Sequence, residues 1–343
     1  MLSRVADSLY WMSRYLERAG HTASVLSLQL QVALDQSPAA AMAGWLRLLT
    51  SLRVELPGEA MTDTNAALRL VGFDQNSPAS IVSCVAAARF NARQVREQIS
   101  GEMWEQINRL YIWISNEDLD TLATRNPQEL FDRVQTTAHL FQGLSDSTMS
   151  RGQGWHFMQL GRAIERACNV SSLLAAHFAW LDQAPTATPT AEDYTEWAGL
   201  LRGSAAYEAY CKLNSAELRP ERIVEFLLLN PDFPHSIRFS LQVINDTLQA
   251  LEREAAGVRL RHRSASGSGP QIGEARKIVG RSLASLSFSD LHEIMQKGLT
   301  SVVLDVRKSC EDVHFAVSRQ YISYPIDFSV LTPTSPTSAS VPH

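Results

Sequence analysis

The chain has 343 residues, of which 45% are hydrophobic, 20% charged and 8% aromatic, and a formal charge of −5 from 31 basic and 36 acidic residues. That length predicts two domains, or one body made of two similar halves, with ample apolar content for a core. There is no basic excess of the kind that drives nonspecific nucleic-acid binding, and 17 glycines and 14 prolines exclude a collagen-like or wholly low-complexity chain.

From the N-terminus onward almost every long segment repeats its apolar residues with a helical period, and strand-like alternation is scarce. The spacing predicts helices over 3–35, 41–54, 78–115, 127–144, 153–181, 191–214, 219–229, 234–262, 271–285 and 288–323, an all-α multi-helix bundle. Ser37-Pro38, Leu56-Pro57-Gly58, Ser77-Pro78, Asn126-Pro127 and Asn230-Pro231 punctuate it, with Ser77 expected to cap a helix that has Pro78 at its first position. Residues 182–190 read as a polar linker and 262–270 as a flexible loop. The Pro/Ser/Thr-rich tail, 325–343, is expected to be disordered.

The first residues carry no basic segment leading into an apolar run, so no signal peptide is expected. The uncharged stretch Ala167–Leu181 is too short and too polar to span a bilayer. Cys84, Cys168, Cys211 and Cys310 stand far apart without a CxxC pair, which argues against a structural zinc site and for buried, reduced thiols in the cytoplasm.

An internal repeat runs through the chain. Arg14–Leu26 aligns without gaps on Arg162–Leu174, at an offset of 148, and Pro78-Ala-Ser-Ile81 matches Pro234-His-Ser-Ile237 at an offset of 156. The expectation is one helical domain, 1–324, built of related halves 1–150 and 151–324.

On the first helix Arg14, Glu17, Arg18 and His21 fall at i, i+3, i+4 and i+7, a stripe bordered by Tyr10, Trp11, Val25 and Leu28 instead of by further polar residues. Leu2, Val5, Leu9, Met12, Leu16, Ala19, Ala23 and Leu26 fill the opposite face. Arg162, Glu165, Arg166 and Asn169 repeat the arrangement in the second half. Twin helices packed about a pseudo-twofold axis would set Glu17 against Arg166 or Arg162, and Glu165 against Arg18 or Arg14. An unpaired buried carboxylate costs several kcal/mol, so pairing of this kind is demanded if the stripes are desolvated. Arg89, Arg93 and Arg96, with Ser100 in line, add a further basic stripe with only Glu97 nearby; their counterparts in the second half are Asn245, Gln249 and Glu252. Arg151 opens the loop Arg151-Gly-Gln-Gly-Trp155 before the second charged helix.

Two readings of these stripes stay open. They form an internal ion-pair network that fixes helix register, or they form a site in which Arg14, Arg18, Arg89, Arg93, Arg96, Arg151, Arg162 and Arg166 hold an anion and Glu17 or Glu165 orients them or acts as a base. No metal site is supported, because Glu311-Asp-Val-His314 lacks a second ExxH copy. Phosphate-loop, dinucleotide-loop and nucleophile-elbow motifs are missing too.

The segment Ser8–Ala19 resembles the N-terminal signature of the alpha-E family, an all-helical bacterial family named for its Glu-Arg motif. The resemblance continues through Ala88–Glu97, Ser100–Asn108, Ser147–Arg151, Gly161–Ala167, Ala206–Tyr210 and Glu225–Leu229, and covers about residues 1–322. Phe90 departs from it, standing where the family usually has glutamate between arginine and asparagine. The resemblance implies a context: such proteins are typically encoded beside, or fused to, a circularly permuted ATP-grasp protein, with a transglutaminase-like protease as a further partner and sometimes a proteasome-like peptidase. ATP-grasp enzymes activate a carboxylate as an acyl phosphate and join it to an amine. The resemblance therefore implies service in a peptide- or amide-forming system, with ATP and Mg²⁺ entering through the ligase and no cofactor of the chain's own.

Overall fold

A computed structural model describes residues 1–54, 64–182, 191–214, 217–262 and 272–322. All but the first residue of the linker expected at 182–190, all but the first residue of the loop expected at 262–270, the Leu56-Pro57-Gly58 break and the tail lie outside the described residues. Within them the chain forms fifteen α-helices and no strand. The first half comprises α1 (Ser3–Ala33), α2 (Pro38–Ser51), α3 (Thr64–Leu68), which runs into a π-helical turn at Arg69–Phe73, α4 (Ile81–Gln94), α5 (Gly101–Asn116), α6 (Leu119–Arg125) and α7 (Pro127–Thr148). The second comprises α8 (Gln153–Phe178), α9 (Ala191–Gly203), α10 (Tyr207–Asn214), α11 (Pro220–Leu229), α12 (Ile237–His262), α13 (Glu274–Phe288), α14 (Leu291–Lys297) and α15 (Leu299–Val317).

Local chemistry sets most of these boundaries. Ser37 caps α2 by accepting from Ala40 N at 3.3 Å, with Pro38 in the first turn. Proline likewise opens α7 and α11, where the missing N–H removes no helical bond. The cap of α4 is Ser80, not Ser77: its hydroxyl accepts from Ser83 N at 3.1 Å, and the helix begins only at Ile81. Ser236 does the same for α12, accepting from Phe239 N at 3.0 Å. The Pro-x-Ser-Ile motif is thus a helix start whose serine is the cap. α14 opens on a capping box between Asp290 and Glu293, and Asp182 accepts from Leu299 N and Thr300 N to close the start of α15.

One expected helix is two. Residues 78–115 break after Gln94, and Ser100 restarts the chain by accepting from Met103 N at 3.2 Å. Ser-Gly at 100–101 suits a cap and a first turn better than a helix interior. The long helices expected at 191–214 and 288–323 also divide, the latter at Gly298, whose φ of 88° an L side chain rarely adopts.

α1 and α8 form the centre. α1 packs on α8, α4 and α7, while α8 packs on α1, α12 and α15; α2 lies on α8, and α9 on α1. The core face of α1 buries Leu9, Met12, Leu16, Ala19, Ala23 and Leu26 as its period requires, but Leu2 at the helix start is exposed. Tyr10, Trp45, Phe131, Phe178 and Tyr210 are the largest fully buried side chains, each stabilising by roughly 1.5–3 kcal/mol or more against exposure.

Gly161 decides how closely the central pair approaches. A Cβ at that position would stand 2.3 Å from the Tyr10 carbonyl oxygen, inside van der Waals contact with backbone. With no side chain there, α8 lies directly against α1, one residue before Arg162 and four before Glu165. That separation is what the charged stripes need.

Candidate functional site

The two stripes meet: Glu17 pairs with Arg166 of α8, and Glu165 with Arg14 and Arg18 of α1. Arg166 grips Glu17 with two near-parallel bonds, Nε to Oε1 at 2.6 Å and Nη2 to Oε2 at 3.1 Å. Arg18 grips Glu165 in the same manner, Nε to Oε1 at 2.7 Å and Nη2 to Oε2 at 3.1 Å. Arg14 adds Nε to Glu165 Oε2 at 2.8 Å and donates from Nη1 to the Tyr10 hydroxyl at 3.2 Å. The fork of arginine matches a carboxylate two bonds at a time, which the compact ammonium of lysine does not. The chain has 27 arginines and four lysines, none of the lysines before residue 212.

A third guanidinium on Glu165 comes from Arg53, which nothing in the stripe pattern pointed to. It donates to Glu165 Oε1 at 3.3 Å and to Asn169 Oδ1 at 3.0 Å. Arg53 stands just past the end of α2 with φ of 61°, in the left-handed region. Val54 N bonds Leu49 O and Arg53 N bonds Thr50 O, which is the Schellman closure of a helix. Glycine is the usual residue there, and a side chain costs about 1–2 kcal/mol. The contacts with Glu165 and Asn169 offset that strain. Ala205, past the end of α9, closes its helix with the same pattern and a φ of 50°, but carries no charge.

Desolvation is deep. The Glu165 side chain is 0% exposed, and those of Arg14 and Arg166 are 9% and 10% exposed. Burial alone pushes the Glu165 carboxyl up, yet Arg14, Arg18 and Arg53 together hold it well below the usual carboxylate range. Glu17 is lowered as well, burial being overcome by Arg166. Carboxylates pinned this low are poor proton acceptors near neutral pH, so their geometry suits the orientation of guanidinia better than base catalysis. Beside them His21 is pushed down to about 4 and His235 to about 3, both mainly by burial, and both are neutral at neutral pH. His21 Nε2 and Asn169 Nδ2 are buried without a hydrogen-bond partner among the described residues.

Arg162 is the outlier of the cluster. It is bonded to Gln159 rather than to a carboxylate, and it lines a small, partly open cleft of about 30 Å³ together with Ser13, Glu17, Gln142, Ser145 and Gln159. Arg14, Arg18, Arg53 and Arg166 pair with Glu17 and Glu165, an excess of two positive charges, while Arg162 feels Glu17 and Asp146 only through space.

The remaining candidates lie elsewhere. The break after Gln94 takes Arg96 off the helix that carries Arg89 and Arg93, so the three do not make one continuous helical stripe. Arg89 donates to Asn108 Oδ1 at 3.0 Å and lies over Tyr111, while Arg93 and Arg96 are exposed. None of them lines the cleft. Arg151 is exposed, paired with Asp146 at 3.4 Å and stacked on Trp155. Tyr10, whose hydroxyl lies 2.9 Å from His314 Nδ1, links the cluster to α15. Cys84, Cys168 and Cys310 are buried free thiols and Cys211 is half-buried and free; burial pushes the Cys84 thiol up to about 12. Among the described residues no group of His, Cys, Asp or Glu could hold a metal ion, and no helix is long and apolar enough to cross a membrane.

Comparison with known sequences agrees with the geometry. The family model Alpha-E, a predicted alpha-helical domain with a conserved ER motif, matches residues 1–322. The chain belongs to the Alpha-E family. Glu17-Arg18 and Glu165-Arg166 are Glu-Arg pairs of this Alpha-E chain, and they are the two that interlock across α1 and α8. Curated relatives include the uncharacterized proteins Mb2597 of Mycobacterium bovis and Rv2567 and MT2643 of Mycobacterium tuberculosis, each 22% identical over 281 residues, or 75% of this chain. The alignment takes in 30% of the length of those relatives. No solved structure matches the chain.

Proposed function

We propose that this Alpha-E chain binds a carboxylate or phosphoryl group at the Arg162 end of the α1–α8 cluster, in the service of an ATP-grasp carboxylate–amine ligase that forms peptide or amide bonds. The charge imbalance carries the reading: four guanidinia pair with two carboxylates in a largely desolvated centre, and a fifth, Arg162, has no ion pair and lines the open cleft. A bound anion would neutralise part of that excess. Glu17 and Glu165 act as clamps that aim Arg166, Arg18 and Arg14. The ligase, a circularly permuted ATP-grasp protein as the resemblance implies, would bring ATP and Mg²⁺, and a transglutaminase-like protein would be a further partner.

A purely structural adaptor is the second reading, favoured by how completely the Glu165 oxygens are already satisfied. Arg162→Ala separates the two, because Arg162 takes no part in the carboxylate pairs. Calorimetric titration with inorganic phosphate and with acetyl phosphate, alongside ADP release by the ligase, makes the comparison. The site reading expects saturable binding by the wild type, loss of about tenfold or more in the variant, and an unchanged melting temperature. Equal binding and equal ligase turnover in the variant would leave only the adaptor.

A further inference from the structure

The outer face formed by α4 and the start of α5 carries arginines that the central cluster does not use. Arg89 is packed against the ring of Tyr111, 4.4 Å from its centroid, and lies 5.8 Å from the centroid of Trp104. Arg96 lies 5.4 Å from the centroid of Trp104. Arg93 is exposed and has neither a hydrogen bond nor an ion pair with a described residue. No ion pair joins any of the three to a carboxylate among the described residues, Glu97, the nearest acid in sequence, included. Phe90 stands among them with 62% of its surface in water, although a large aromatic usually gains by burial.

Aromatic rings and arginines held in place by stacking form the composition of interface hot spots, because little side-chain freedom is left to lose on binding. The face sets Arg89, Arg93 and Arg96 against Glu97 and Glu102, Glu105 being paired with Arg109, and so keeps a local excess of one positive charge on a chain whose overall charge is −5. We infer that the α4–α5 face docks an acidic segment of a partner protein, whose carboxylates meet Arg93 and Arg96 and whose apolar side chain covers Phe90. In the curated relatives the matched region takes up 30% of the length, so it is covalently joined to further polypeptide there. The inference is independent of the anion proposed for the central cluster.

The test uses the full chain and a fluorescent helical peptide with glutamates along one stripe and leucine beside them, followed by anisotropy. A second peptide replaces each glutamate by lysine, and a single-stranded oligonucleotide of equal negative charge is the third probe. The expected result is binding of the acidic peptide, a drop of about tenfold or more in the double variant Arg93→Glu/Arg96→Glu, and transfer of that variant's preference to the lysine peptide. Phe90→Ala should weaken binding without changing the salt dependence. Exchange of preference also shows that the double variant is folded. Failure of the wild type to bind the acidic peptide, equal binding by the variants, or stronger retention of the oligonucleotide would overturn the inference.

Discussion

At the scale of single residues, Arg53 is the most informative position in the molecule. Its backbone sits where glycine would be easier, and its side chain supplies the third guanidinium on Glu165. Two opposing effects can therefore be separated by substitution. Arg53→Ala removes the ion pair and keeps the left-handed strain, whereas Arg53→Gly removes both. The glycine variant should be the more stable of the two by about 1 kcal/mol, the reverse of their order inside a helix. Paired denaturant titrations check this; an alanine variant as stable as the glycine one would mean that φ at 53 is not strained. The stripes themselves were legible because i, i+3, i+4 spacing fixes which side chains share a helical face. Arg53 was not, because nothing in a run of Ser-Leu-Arg-Val reveals a left-handed residue aimed at a helix more than a hundred positions away.

At the scale of elements, the contact of α1 with α8 rests on Gly161. Adding one methyl there forces the helices apart against the Tyr10 carbonyl, since backbone cannot swing aside. Gly161→Ala should destabilise the chain by about 1–3 kcal/mol, the usual cost of overpacking, although alanine is the better helix former. Thermal unfolding of the variant checks the sign, and a gain in stability would show that the helices have room to spare. The α4–α5 break illustrates the converse. Arg89, Arg93, Arg96 and Ser100 fit a single helical face on paper, but Ser100 serves as a cap and Arg96 falls in the connection. Ser100-Gly101 carries the signal for the break, against the helical spacing of the arginines.

At the scale of the whole molecule, buried histidines and buried carboxylates make stability depend on pH in two stages. His21, His177 and His235 are each lowered by burial, to about 4, 4 and 3, from an ordinary value of 6.5. In the unfolded chain they take up protons near pH 6.5, while the folded chain resists until pH 4 or below. The stability they confer is complete above about 6.5 and is lost as pH falls toward 4. Glu17 and Glu165, held low by arginines, add stability that is present above their ordinary value of 4.5 and lost on further acidification. Melting temperatures measured from pH 8 to pH 4 should fall throughout the acidic half of that range. His235→Gln should flatten the part between pH 6.5 and 4; an unchanged slope in that variant would remove His235 from the account.

The sequence by itself determined that the chain is all-α, that the two charged stripes exist, and that their carboxylates must find arginine, because helical periodicity and the cost of an unpaired buried charge are local facts written in residue order. It also carried the paired Pro-x-Ser-Ile motif, but it pointed to Ser77 as the cap where the structure has Ser80. Only the tertiary structure decided that Arg166 rather than Arg162 takes Glu17, that Arg162 is left facing a cleft, and that Arg53 joins the cluster while Arg89, Arg93 and Arg96 stay outside it. Those outcomes depend on how closely α8 approaches α1 and on where α2 and α4 end, distances set by packing across the fold and not by any spacing along the chain.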